Sequence, residues 1–147
     1  MLLRIHLLLT ADLLHALASM GHGDEIAIVD ANFPAASVGK RVVSLPGADS
    51  PAVLAAVLTI FPLDTSTKPA AFTMEVAGDP LAVPEPVAAF AVSFTQHGHA
   101  NIEIGILERH AFYERARRAF VVVRTGELRK YGNVLLIKGV VNHADSI

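Results

Sequence analysis

The side chains of this chain best suited to chemistry fall at four places. His22 stands in the corner Gly21-His22-Gly23, ahead of the apolar run Ile26-Ala27-Ile28-Val29, and Asp30 closes that run. An imidazole, with an ordinary pKa near ~6.5, is the side chain best matched to passing a proton at neutral pH. The flanking glycines leave it exposed and uncrowded; a loop histidine without a chemical role is the alternative. Asp30 ends the expected strand, where open α/β sheets place their ligands. Otherwise it serves as a turn acceptor for Ala31-Asn32-Phe33-Pro34. Arg109 lies between an expected strand and the helix after it, and its guanidinium is a rigid fork of donors suited to vicinal hydroxyls or a carboxylate. An ion pair with Glu108, Glu114 or Asp30 fits the spacing equally well. Finally, Tyr131-Gly132-Asn133 separates two apolar runs. Gly132 lets the backbone turn and a ligand approach, Asn133 offers both a donor and an acceptor, and an ordinary turn is the alternative.

Other chemistries find less support. His97-Gly98-His99 sets two imidazoles two residues apart, but no third ligand at a recognisable spacing accompanies them, so no metal site is expected. Gly21-His22-Gly23 lacks a third glycine and precedes a strand rather than a helix, which argues against a phosphate-cradling loop. The chain has no cysteine, which removes thiolate nucleophiles and disulfides and suits a reducing cytoplasm. Its net charge of −2, from 12 basic and 14 acidic residues, gives no electrostatic case for nucleic acid.

The elements that must position these residues follow from periodicity and punctuation. A helix over 12–20 is capped by Thr10 and stopped by a left-handed Gly21. Strands are expected over 25–29, 41–45, 71–76, 101–106, 120–123 and 134–137. Ser50, a capping hydroxyl, and Pro51 open a helix over 52–61; further helices run over 85–93 and 110–119, the last with Phe112 and Tyr113 as packing residues. Strands and helices alternate, which predicts one domain over 1–147: a layered α/β fold with a mixed sheet flanked by helices. The apolar N-terminus is interrupted by Arg4 and His6 and is too short for a signal peptide or membrane span, so it reads as an element packed on the core. With 52% hydrophobic and 18% charged residues and a mean hydropathy of +0.47, part of the apolar surface is expected to be covered by other copies of the chain.

Met20-Gly21-His22-Gly23-Asp24-Glu25, Asp30-Ala31-Asn32-Phe33-Pro34, Ala111-Phe112-Tyr113-Glu114-Arg115-Ala116 and Lys130-Tyr131-Gly132-Asn133 resemble, in order and interval, the fucose mutarotase and ribose pyranase (RbsD/FucU) family. The resemblance implies a three-layer α/β domain assembled into ring-like oligomers, often decamers, with sugar sites near subunit interfaces. It implies interconversion of anomers or ring forms of a free monosaccharide without a cofactor. By resemblance His22 is the general acid, while Asp30, Arg109, Tyr131 and Asn133, with the backbone at Gly132, hold the sugar. The arginine ahead of Ala-Phe-Tyr resembles the fucose branch and implies L-fucose. Thr95-Gln96-His97-Gly98-His99 and His110 depart from the family pattern. Two rival readings remain: a non-catalytic sugar-binding protein accessory to uptake, and a hydrolase pairing Asp30 with Asp24, Glu25 or Glu108.

Overall fold

The computed structural model describes residues 2–145. In chain order the elements are α1 (Ala11–Ser19), β1 (Glu25–Val29), α2 (Ala35–Val38), β2 (Val42–Leu45), α3 (Ser50–Leu58), β3 (Ala71–Met74), α4 (Glu85–Gln96), β4 (Ile104–Leu107), α5 (Arg109–Arg118), β5 (Val121–Thr125) and β6 (Val134–Ile137). The strands form one mixed sheet in the order β2-β5-β1-β6-β3-β4. Strand β6 runs antiparallel to both β1 and β3, and every other pairing is parallel. Five strands therefore end along one edge of the sheet, where β6 begins.

Three layers result because the central strands are apolar on both faces. Ile26 and Ile28 of β1 join the cluster beneath α1, α3 and α4, while Ala27 and Val29 join Phe112 and Ala116 of α5 and Ala35 of α2 on the other face. An alternation of inward side chains thus divides one five-residue strand between two cores.

Local chemistry moves several expected boundaries. Thr10 caps α1 by accepting from the Leu13 amide, but α1 ends in an extended Met20, and the left-handed glycine is Gly23 (φ 84°) rather than Gly21. The Lys138 ammonium donates instead to the carbonyls of Leu17 and Met20, at 2.8 and 2.6 Å. Asp49, not Ser50, caps α3 by accepting from the Ala52 amide, and Ser50 turns inward and is fully buried. The short α2, which has no periodic signal of its own, covers the second face after Pro34. No helix or strand forms over 2–8; Ile5 and Leu8 reach the core, whereas Leu2, Leu3 and Leu7 stand exposed. No described helix is long and apolar enough to cross a membrane.

Candidate functional site

At the edge where five strands end, a hollow of about 260 Å³ opens between the end of β1, the start of α5 and the turn before β6. A liquid water occupies about 30 Å³, so the space admits several water-sized groups. Asp30, Arg109, Tyr131 and Asn133 all line it. Asp30 and Asn133 clamp each other: the Asp30 amide donates to Asn133 Oδ1 at 2.8 Å, and Asn133 Nδ2 donates to Asp30 Oδ2 at 3.0 Å. The other Asp30 oxygen accepts from the Asn32 amide, so the turn role and the pocket role coincide. With Asp30 only 7% exposed and Asn133 only 2%, their geometry is fixed before any ligand arrives. Burial pushes the Asp30 carboxyl above its ordinary pKa, against the hydrogen bonds from Asn133 and the backbone of Asn32 and Phe33; the charge of Glu127 adds to the rise.

Tyr131 adopts φ 63°, a left-handed conformation uncommon for a bulky residue. This turn swings the phenol over the hollow, where its oxygen accepts from the Ala77 amide at 3.1 Å. The glycine beside it answers to packing. A Cβ on Gly132 would lie 2.6 Å from Glu127 Cγ and 2.9 Å from Ser50 Oγ, so close approach is required by the protein's interior rather than by a ligand. Beneath it, Glu127 is buried and takes hydrogen bonds from the Arg129 amide and guanidinium, which hold its carboxyl below the usual range.

Arg109 opens α5. Its alternative partners are engaged elsewhere: Glu108 caps α5 through the amides of His110 and Ala111, and Glu114 pairs with Arg117. The guanidinium rests 5.8 Å from the Tyr113 ring centroid, and Tyr113 stands edge-on to Phe33 at 5.0 Å. Tyr113 is therefore a wall of the hollow as well as a packing residue, while Phe112 is wholly core. Lys130 and Asn32 also line the hollow. Lys130 adjoins Tyr131 and Asn32 lies two residues past Asp30, but no spacing of their own marks either as a site residue.

His22 lies elsewhere. It precedes β1 whereas Asp30 follows it, and five strand residues at about 3.3 Å each put about 16 Å between those ends. The His22 side chain is 56% exposed, and its Nε2 lies 3.3 Å from Oδ2 of Asp64. Asp64, buried in the loop after α3, was missed because it stands 42 residues away in sequence; the pattern Asp-x-Ser-Thr, apt for an aspartate that binds its own turn, was the available signal. Within one chain, then, the acceptor, guanidinium, phenol and amide come together and the imidazole stays apart.

The carboxylates considered as partners for Asp30 do not converge on it. Asp24 holds the Gly21 amide, Glu25 is engaged by the fork of Arg115, and Glu108 caps α5. The three histidines of the segments that depart from the family pattern have local surroundings of their own. His97 Nδ1 lies 2.7 Å from the Ser93 carbonyl at the end of α4, burial and the neighbouring His97 lower the His99 pKa, and His110 stands edge-on to Tyr113.

The model of the RbsD / FucU transport protein family matches residues 3–141. Among solved structures, a fucose mutarotase from Streptococcus pneumoniae in complex with L-fucose is 37% identical with a TM-score of 0.89, over 96% of this chain and 100% of that one. FucU from Bifidobacterium longum is 43% identical with a TM-score of 0.85, over 94% and 99%. RbsD from Bacillus subtilis complexed with D-ribose is 26% identical with a TM-score of 0.72, over 95% and 99%.

Proposed function

This chain belongs to the RbsD/FucU family, and from that premise we propose that it is a sugar mutarotase, an isomerase that interconverts the anomers of a free aldose, with L-fucose as its substrate. The observation that carries the reading is the preformed cluster of Asp30, Asn133, Tyr131 and Arg109 in one hollow, in a fold shared with a fucose mutarotase solved with L-fucose. Such a cluster suits a polyol. Asp30 accepts from a hydroxyl, the Arg109 fork and the Asn133 amide hold others, and the aromatic edges of Tyr113 and Phe33 face the apolar side of a pyranose.

Mutarotation breaks the bond between the anomeric carbon and the ring oxygen and remakes it on the other face of the carbonyl. The ring oxygen gains a proton as the anomeric hydroxyl loses one, and closure reverses both transfers. Only protons move, so the side chains suffice without a cofactor. A raised pKa equips Asp30 to take up the hydroxyl proton, and His22 supplies the proton to the ring oxygen. Since His22 and the hollow stand at opposite ends of β1, the imidazole belongs to a neighbouring protomer, and the working unit is a ring-like homo-oligomer. Exposed apolar side chains such as Leu3, Leu81 and Leu128 supply surface that such assembly would cover.

The separation of His22 from the hollow also favours one rival, a sugar-binding protein without catalysis. Magnetisation-transfer NMR on L-fucose separates the two. The wild-type protein is expected to accelerate anomer exchange, and His22→Ala to lose about 10²- to 10⁴-fold of that acceleration. Binding of L-fucose without faster exchange would establish the rival.

A further inference from the structure

A histidine that transfers protons from an exposed turn needs something to hold it in one orientation and one tautomer. Glycines on both sides leave its ring free to swing, and a swinging imidazole presents either nitrogen to a substrate. The structure contains a fixed group that removes this freedom. Asp64 is nearly buried, and its backbone amide is tied to the Ile137 carbonyl at 3.0 Å. Oδ1 accepts from both the amide and the hydroxyl of Ser66, and Oδ2 accepts from the Thr67 hydroxyl at 2.6 Å. The remaining contact of Oδ2 is His22 Nε2.

We propose that Asp64 is the positioning residue of the reaction, holding His22 with its proton on Nε2 so that Nδ1 alone exchanges protons with the sugar. The inference rests on the mutarotase reading for its catalytic meaning, but the geometry stands without it. An ionised carboxylate only accepts hydrogen bonds, so its partner on the ring must carry a hydrogen. Asp64 is ionised at neutral pH because the hydroxyls of Ser66 and Thr67 hold its carboxyl well below the usual range, with His22 adding to the effect. Other charged groups of the turn are committed elsewhere: Asp24 Oδ2 accepts from the Gly21 amide at 2.7 Å, and the Lys138 ammonium is spent on the carbonyls of Leu17 and Met20. The Gly23 amide donates to the Lys138 carbonyl at 2.8 Å, which ties the turn beside the Asp64 loop.

The ring-oxygen proton then comes and goes at one atom, while Asp30 takes up the anomeric hydroxyl proton on opening and returns it on closure. Protonated Nδ1 gives its proton to the ring oxygen as the ring bond breaks, and bare Nδ1 takes it back when the bond reforms on the other face. Nε2–H never leaves Asp64. A carboxylate that orients an imidazole in this way is a recurring device in acid–base catalysis, and its loss to an amide imposes the wrong tautomer.

Asp64→Asn tests the proposal. Two donors of Ser66 converge on the Oδ1 position, so the amide oxygen of the new side chain belongs there. Its NH2 then faces His22 and can only donate to Nε2, which drives the imidazole proton to Nδ1. Nitrogen-15 NMR of the imidazole in sugar-free protein reads the tautomer directly. In wild type the neutral ring is expected to carry its proton on Nε2, and in Asp64→Asn on Nδ1. The kcat for anomer exchange is expected to fall at least tenfold while KM stays within about twofold. A wild-type ring protonated on Nδ1 overturns the proposal without recourse to any variant, as does an Asp64→Asn protein that keeps both the wild-type tautomer and the wild-type kcat. If the wild-type protein binds L-fucose yet never accelerates its exchange, the mutarotase reading fails, and the tautomer measurement still decides whether Asp64 orients the ring.

Discussion

In the proposed function Asp30 is the side chain on which sugar recognition turns, and its environment gives it a distinct pH signature. It is the stronger acceptor for a hydroxyl when ionised, yet burial raises its pKa. Acidification therefore protonates it at a higher pH than the ~3.9 of an ordinary aspartate. L-fucose affinity, followed by calorimetry, is expected to weaken as pH falls, beginning above that ordinary value. In Asp30→Asn the affinity should be lower throughout and nearly flat over the same range. Wild-type binding that stays constant down to pH 4 would remove Asp30 from the contact. Asn133 is legible at the same scale, because an amide after a turn glycine offers two kinds of hydrogen bond. One bond from each arm of the amide goes to Asp30, which leaves a second N–H and a second lone pair for a ligand, so the residue braces the acceptor and faces the hollow at once.

At the scale of elements, the turn before β6 couples the hollow to the interior. Tyr131, and not its glycine neighbour, takes the left-handed backbone conformation, while Gly132 lies against Glu127 and Ser50. Gly132→Ala is accordingly expected to cost about 1–3 kcal/mol through overpacking, read from chemical denaturation. A variant as stable as the wild type would mean that the Glu127 side chain yields without penalty. The strands and long helices were legible because their apolar periodicity is local and strong. The cap of α3 was misplaced by one residue because both Asp49 and Ser50 suit a cap, and only the tertiary demand of buried Glu127 draws Ser50 inward. Likewise β4 begins at Ile104 rather than at 101. The period-two pattern extends across residues that the sheet does not pair, because strand β3 opposite them starts only at Ala71. Asp64 escaped notice for a related reason: its partner is brought to it by the sheet, from a turn 42 residues earlier.

At the scale of the whole molecule, the proposed mutarotase would find only half of its catalytic groups together in one chain. The sheet direction collects Asp30, Arg109, Tyr131 and Asn133 at the edge where its parallel strands end, in keeping with the general placement of ligands in α/β sheets. The same strand that delivers Asp30 to that edge carries the His22–Asp64 pair to the opposite one. A site assembled between protomers reconciles these facts, and closed symmetric assembly lets every chain donate one half-site and receive another. Oligomers containing both His22→Ala and Asp30→Asn chains, purified through two different tags, test this most directly. Each variant alone is expected to leave L-fucose anomer exchange near its rate in water. In mixed oligomers, random neighbours rebuild an intact site at about a quarter of the interfaces, so exchange measured by magnetisation transfer should recover to about that fraction of the wild-type rate. Mixed oligomers that remain as inactive as the two parents would contradict a site shared between chains.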